Sequence, residues 1–159
     1  MANTQAICDT FRVDLLNGTH AFGAQGANAV RTVTTKDVFN AALFLTTATI
    51  NRSTTVYAAT GELAATGNYA AGGIAATNAN APANTGGTGI IAFWTPSASL
   101  SWPNLTSSGA FDAMLLYNSV NTAGASVAVF TFGSQSVTAG TFTLTMPTND
   151  LTTGLIRLS

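Results

Sequence analysis

The run GTFTLTMP, residues 140–147, alternates strictly: Phe142, Leu144 and Met146 fall on one parity, Thr141, Thr143 and Thr145 on the other. Successive side chains of an extended chain point to opposite faces, so this run predicts an antiparallel strand with one face packed and one in water. Two further runs are apolar on both parities, SVAVFTFG (126–133) and AFDAMLLY (110–117), the second interrupted only by Asp112. Runs of that kind belong at the centre of a sheet covered on both sides. In VFNAALFLTTATI (38–50), one parity holds Phe39, Ala41, Leu43 and Leu45 while the other mixes Val38, Asn40, Ala42 and Phe44, which predicts one fully buried face. Shorter strand candidates lie at 29–35, 72–78, 89–94, 97–101 and 154–158, separated by Gly, Asn, Ser and Pro. About eight strands with a single helix predict an all-β chain, a β-sandwich or jelly-roll-like single domain over residues 1–159.

The helix is expected at 5–17, the one segment with a helical period: Ile7, Cys8, Phe11 and Leu15 form a stripe, with Asp9, Arg12 and Asp14 away from it. Thr4 is placed as its N-cap and Gly18 as the residue that ends it.

Composition narrows the function classes. Hydrophobic residues make up 47% of the chain and charged residues 7%, so the chain folds and its surface is kept wet by Thr, Ser and Asn. The five cations, Arg12, Arg31, Lys36, Arg52 and Arg157, are scattered and offset by six acids, which leaves no basic stripe for nucleic acid. No apolar run approaches the ~18 residues of a membrane span, and MANTQAICDTFRVD lacks the features of a signal peptide. Synthesis and folding in a cytoplasm are expected, with Cys8 unable to form an internal disulfide and the sequons at Asn17, Asn51 and Asn104 unglycosylated.

Catalytic chemistry has little to draw on. A Cys8–His20 pair would need both side chains to converge in a cleft, whereas His20 in NGTHAF is expected to be hydrogen-bonded where the chain leaves the helix. The acids are isolated in sequence, so paired carboxylates have no local signature, and no cofactor or metal spacing is present; PTND (147–150) reads as a turn. Asp112, among Phe111, Ala113 and Met114, either faces outward or is buried against an arginine or backbone N–H groups, with a structural partner expected.

TGELAATGNYAAGG (60–73) fails as a phosphate loop, having two glycines six apart and no lysine, and fails as a linker because strands of one set flank it. It is read as a crossing, with room for one turn of helix. Gly67, Gly72 and Gly73 would allow tight turns, and Tyr69 would pack as a lid with its hydroxyl reaching water. NANAPANTGGTG (78–89) has no period and is too polar to be buried, so it is an exposed loop. Asn80, Pro82, Asn84 and Thr85, with Trp94 and Trp102 around TPSASLSWP, form the candidate partner-contact surface; the alternatives are a loop tip touching nothing and tryptophans that plug the core.

The segments GTHAF, FNAALFLTTATI, TTVYAATGELAATGNYAAGG, FDAMLLYNS, VAVFTFGS, GTFTLTMPTND and the closing GLIRLS, in this order, are similar to a group of small structural proteins of tailed-bacteriophage virions. The resemblance implies a capsid decoration (cement) protein: a non-enzymatic β-rich module that binds the major capsid protein of a pre-formed shell, commonly as a homotrimer, and is located in the virion. A tail or head fibre module that binds a host receptor or glycan through Trp94, Trp102 and the 78–89 loop is the alternative.

Overall fold

The computed structural model describes residues 2–23, 35–64, 66–84, 91–120 and 123–159. Over the described residues the chain is all-β and sandwich-like, with one short helix. Ten strands are found among the described residues: β1 (Ala6–Ile7), β2 (Phe39–Leu45), β3 (Ile74–Ala76), β4 (Ala83–Asn84), β5 (Ala92–Trp94), β6 (Leu100–Leu105), β7 (Phe111–Asn118), β8 (Ser126–Gln135), β9 (Gly140–Leu144) and β10 (Ile156–Leu158), with helix α1 at Asp9–Leu16. They form a five-stranded sheet ordered β1-β8-β7-β2-β3, a three-stranded sheet β10-β5-β4 and a two-stranded pair β6-β9. All these pairings are antiparallel.

The runs apolar on both parities, β7 and β8, lie at the interior of the large sheet beside β2. β2 corrects one expectation, since Ala42 and Phe44 are as buried as Ala41 and Leu43, so both faces are covered rather than one. The register explains it. Phe39, Ala41 and Leu43 lie opposite Asn118, Leu116 and Met114, and this face carries Phe39 onto Phe22 and Trp94. On the other face Phe44 and Leu115 line one pocket with Ala48 and Ile50 of the following chain. β9 keeps its alternation, Phe142 packing on Trp102 and Phe111 while Thr141 and Thr143 are exposed. β6 starts later than the expected 97–101 and runs on through Pro103 to Leu105. The strand expected at 29–35 lies outside the described residues, except for Thr35.

The helix is shorter than 5–17. Residues 6 and 7 pair instead with Val129 and Ala128 of β8, and Cys8 N–H donates to Val127 O, so the sheet claims the backbone before the helix begins. Cys8, not Thr4, occupies the N-cap position and offers no side-chain cap, while Asp9 in the first turn suits the helix dipole. Gly18, at φ 72°, ends the helix as expected. Asn3 clasps this end of the chain to the sheet. Its Nδ2 donates to Leu45 O (3.0 Å) and Asp112 Oδ1 (2.6 Å), and its Oδ1 accepts Ile50 N–H (3.1 Å). Asp112 therefore does have a structural partner, an asparagine amide rather than an arginine or the backbone.

The described residues of 60–73 contain no helix. Gly61–Leu63 runs beside the second half of β2 through Leu45 N–H to Gly61 O and Leu63 N–H to Leu43 O, while β3 pairs with the first half. The edge beside β2 is thus interrupted, with Ala64 and residues 66–73 irregular between Leu63 and β3. Gly73 marks the re-entry at φ 73°, where a Cβ would overlap the Ala41 carbonyl, so only glycine fits.

Candidate functional site

The six residues expected to contact a partner divide. Trp94 and Trp102 are 2% and 1% exposed, which removes both from any contact surface. They take inward parities, Trp102 beside Leu100 and Leu105 on β6 and Trp94 against Phe22 and Phe39, because nothing on the surface would offset the exposure of so large an apolar area. The Trp94 Nε1–H donates to Asn78 Oδ1 at 2.9 Å. Asn80 is half-buried, its Nδ2 donating to Thr95 O (2.9 Å), so it anchors the loop. Pro82 and Asn84 are exposed, Asn84 pairing through its backbone with Ala92 of β5, and Thr85 lies outside the described residues. Ala79 and residues 81–84 thus form an uncharged exposed strip ending on the short strand β4, at the edge of its sheet.

Next to this strip lies a cavity of about 490 Å³, lined by Phe11, Phe22, Phe93, Trp94 and Ile156 together with Ala81 and Pro82 of the strip. His20 closes one side. The ring is buried among Phe11, Phe22 and Phe39, and its Nδ1 lies 3.3 Å from Asn118 Nδ2. Asn118 is the centre of a clamp, with Nδ2 donating to Thr19 O (3.0 Å) and Asp37 Oδ2 (2.7 Å). Asp37 Oδ2 also accepts Ala21 N–H (2.8 Å). The histidine is held where the chain leaves the helix, as expected.

A second polar cluster is invisible in the sequence. Glu62, 7% exposed, accepts hydrogen bonds from Tyr57 OH (2.5 Å), Tyr69 OH (2.7 Å) and Gly72 N–H (2.7 Å). Tyr69 is 3% exposed, so its hydroxyl does not reach water. It accepts Leu43 N–H (2.8 Å), filling the ladder position that the interruption between Leu63 and β3 leaves open on β2. Tyr117 OH donates to Gly72 O (2.9 Å), and its ring stacks on Tyr57 at 4.5 Å. Desolvation, then the hydrogen bond to Glu62, pushes the phenols of Tyr57 and Tyr69 up, keeping both as donors. The signal available in the sequence was a single acid among Ala and Gly with tyrosines five residues before and seven after.

The remaining reactive groups are spoken for. Burial, and then Asp9, push the Cys8 thiol up to about 12, so it is no nucleophile. Cys8 and His20 are not brought together by any hydrogen bond or ion pair. Asp150 accepts from the hydroxyls and backbone N–H groups of Thr152 and Thr153, which lower it to about 2 and make PTND the turn expected. Asp9 pairs with Arg52 at 2.9 Å on the surface. Among the described residues no group of three or more His, Cys, Asp or Glu is placed to hold a metal ion, and no helix is long and apolar enough to cross a membrane. Compared with protein-family models, curated proteins and solved structures, the chain matches none.

Proposed function

We propose that the protein is a non-enzymatic structural component of a phage virion, a decoration protein that binds the major capsid protein of the assembled shell as a trimer. The observation that carries this reading is where the six acids sit. Asp9 faces Arg52, Asp14 faces His20, Asp37 holds Asn118, Glu62 holds two phenols, Asp112 holds Asn3, and Asp150 closes its own turn. Each carboxyl faces a group of its own chain, and the described surface offers a partner hydroxyls, apolar side chains such as Leu16, Val13 and Val120 and the neutral strip at 79–84, with the exposed cations Arg12, Lys36, Arg52 and Arg157 scattered along the sequence. A module of that kind adheres by apolar burial and hydrogen bonds, and binding only the assembled shell stabilises it by linkage.

The fibre reading loses its aromatic platform with Trp94 and Trp102 inside the core, so glycan stacking has no exposed indole among the described residues. The experiment is to introduce Ala81→Arg with Ala83→Arg, both exposed, and to compare thermal melting with occupancy on purified phage. Unchanged melting with lost occupancy is expected, and wild-type occupancy should survive 1 M salt. Full occupancy of the variant, release of the wild type by salt, or antibody label confined to the tail would overturn the proposal.

A further inference from the structure

His20 is the one histidine of the sequence, and its side chain has no exposure. Three aromatic rings surround it, with centroids at 5.4 Å for Phe11, 6.2 Å for Phe22 and 6.1 Å for Phe39. The orientation of the facing amide is fixed by its other partners. Asn118 Nδ2 must carry the hydrogens because it meets the Thr19 carbonyl and the Asp37 carboxyl, and Oδ1 must be the oxygen because it accepts Val120 N–H (3.0 Å). Both Nδ2 hydrogens have these nearer acceptors, so His20 Nδ1, 3.3 Å away, only shares one of them; facing a nitrogen that cannot accept, Nδ1 carries no proton and the ring proton sits on Nε2. Nε2 has no hydrogen-bond partner, and the nearest acidic atom, Asp14 Oδ2, is 3.9 Å away.

We propose that His20 is a proton-operated latch: protonation at Nδ1 sets two donors face to face, breaks the Asn118 clamp and frees residues 18–23 from the end of β7. The charged groups facing the ring are Asp14 from α1 and Asp37 from the segment before β2. Both favour the imidazolium, but Asp14 is beyond hydrogen-bond distance and Asp37 Oδ2 is already occupied by two donors. Desolvation outweighs them and lowers the histidine below its ordinary value. The unfolded chain then binds the proton more readily than the folded one, so the clamp's stability is full above about pH 6.5 and falls as pH drops below it. The freed segment carries Phe22, which stacks on Phe39 at 4.2 Å and abuts Trp94 at 4.8 Å. Gly18, Ala21 and Gly23 of the same segment line the cavity, so its release opens that cavity in mild acid.

The test uses the full chain between pH 7.5 and 5, the range in which an ordinary histidine changes charge, while the Cys8 thiol is pushed up to about 12. Amide exchange is followed at Ala21 and Asp37, whose N–H groups close the clamp, and at Leu43 and Gly72 as controls. Protection at the first pair should fall by up to about tenfold per pH unit, the slope of a one-proton opening, while the controls hold. His20→Gln, which keeps an acceptor for Asn118, should flatten the profile. Parallel loss in wild type and variant would overturn the latch, as would equal loss at both amide pairs. If the variant does not fold, the proton NMR titration of His20 in the wild type decides: a midpoint at or above 6.5 refutes the proposal and one below it supports it.

Discussion

The Glu62 cluster and the Asn118 clamp perform the same task on opposite faces of the five-stranded sheet: each fastens a stretch of irregular chain to its interior strands. They do it with different completeness. Around Glu62 the carboxyl has three donors, Tyr69 both donates and accepts, and Tyr117 takes the Gly72 carbonyl. Around Asn118 the amide is engaged on both its ends, yet the histidine beside it keeps a buried N–H with nothing to receive it. A closed set of hydrogen bonds resists change because any missing member leaves buried groups unpaired, whereas a set with an open valence can be shifted by one proton.

The comparison is most readily broken at Glu62. Glu62→Ala strands the buried Tyr69 hydroxyl and Gly72 amide and unpairs the half-buried Tyr57 hydroxyl, and at about 1–3 kcal/mol for each buried unpaired donor a loss of about 2–6 kcal/mol is expected. That is a large share of the roughly 5–15 kcal/mol that holds a domain together, and denaturant unfolding measures it. A variant that melts with the wild type would mean that the carboxyl does not organise the loop. Asn118→Ala should cost less, about 1–3 kcal/mol, because Asp37 keeps Ala21 N–H. It should also shrink the acid-dependent part of stability, since no amide donor then opposes a proton on Nδ1; a steeper pH dependence would reverse the roles assigned to the two groups. Smallest is Tyr57→Phe, at about 0.5–1.5 kcal/mol, because Tyr57 is half-buried and Glu62 retains Tyr69 and Gly72. A loss equal to that of Glu62→Ala would make the 2.5 Å bond the centre of the cluster.

What the sequence revealed and hid follows the same division. Strands β7, β8 and β9 were readable because burial on one or both faces writes itself into a two-residue period, and Gly18 because a left-handed residue ends a helix in a recognisable way. The helix start was not, because Ala6 and Ile7 satisfy their backbone against Val129 and Ala128, more than a hundred residues on. The Glu62 cluster was hidden for the same reason. Its carboxyl looks isolated among Ala and Gly, and its meaning comes from an interrupted edge strand that folds Tyr69 and Gly72 back onto it. Trp94 and Trp102 are contact candidates from their place near a polar loop and core plugs from their place beside prolines, and the structure takes the second course, Leu100, Trp102 and Leu105 all turning inward across Pro103. Of the contact residues only Pro82 and Asn84 remain on the described surface.

The pairing of β1 with β8 sets a schedule for how the chain is made. Ala6 leaves the ribosome long before Val129, its partner, and at about 5–20 residues per second the wait is roughly 6–25 s. For most of that time Asn3 has neither Asp112 nor a completed β7 to grip, and the apolar runs of β2 and later β7 emerge before β8, the strand that joins β1 to the sheet. Sheet assembly is therefore a late event of synthesis, governed by closure of a very long loop. Slowing translation just after residue 129 would give it time, and truncating the message before that point would leave a chain rich in unpaired strand edges.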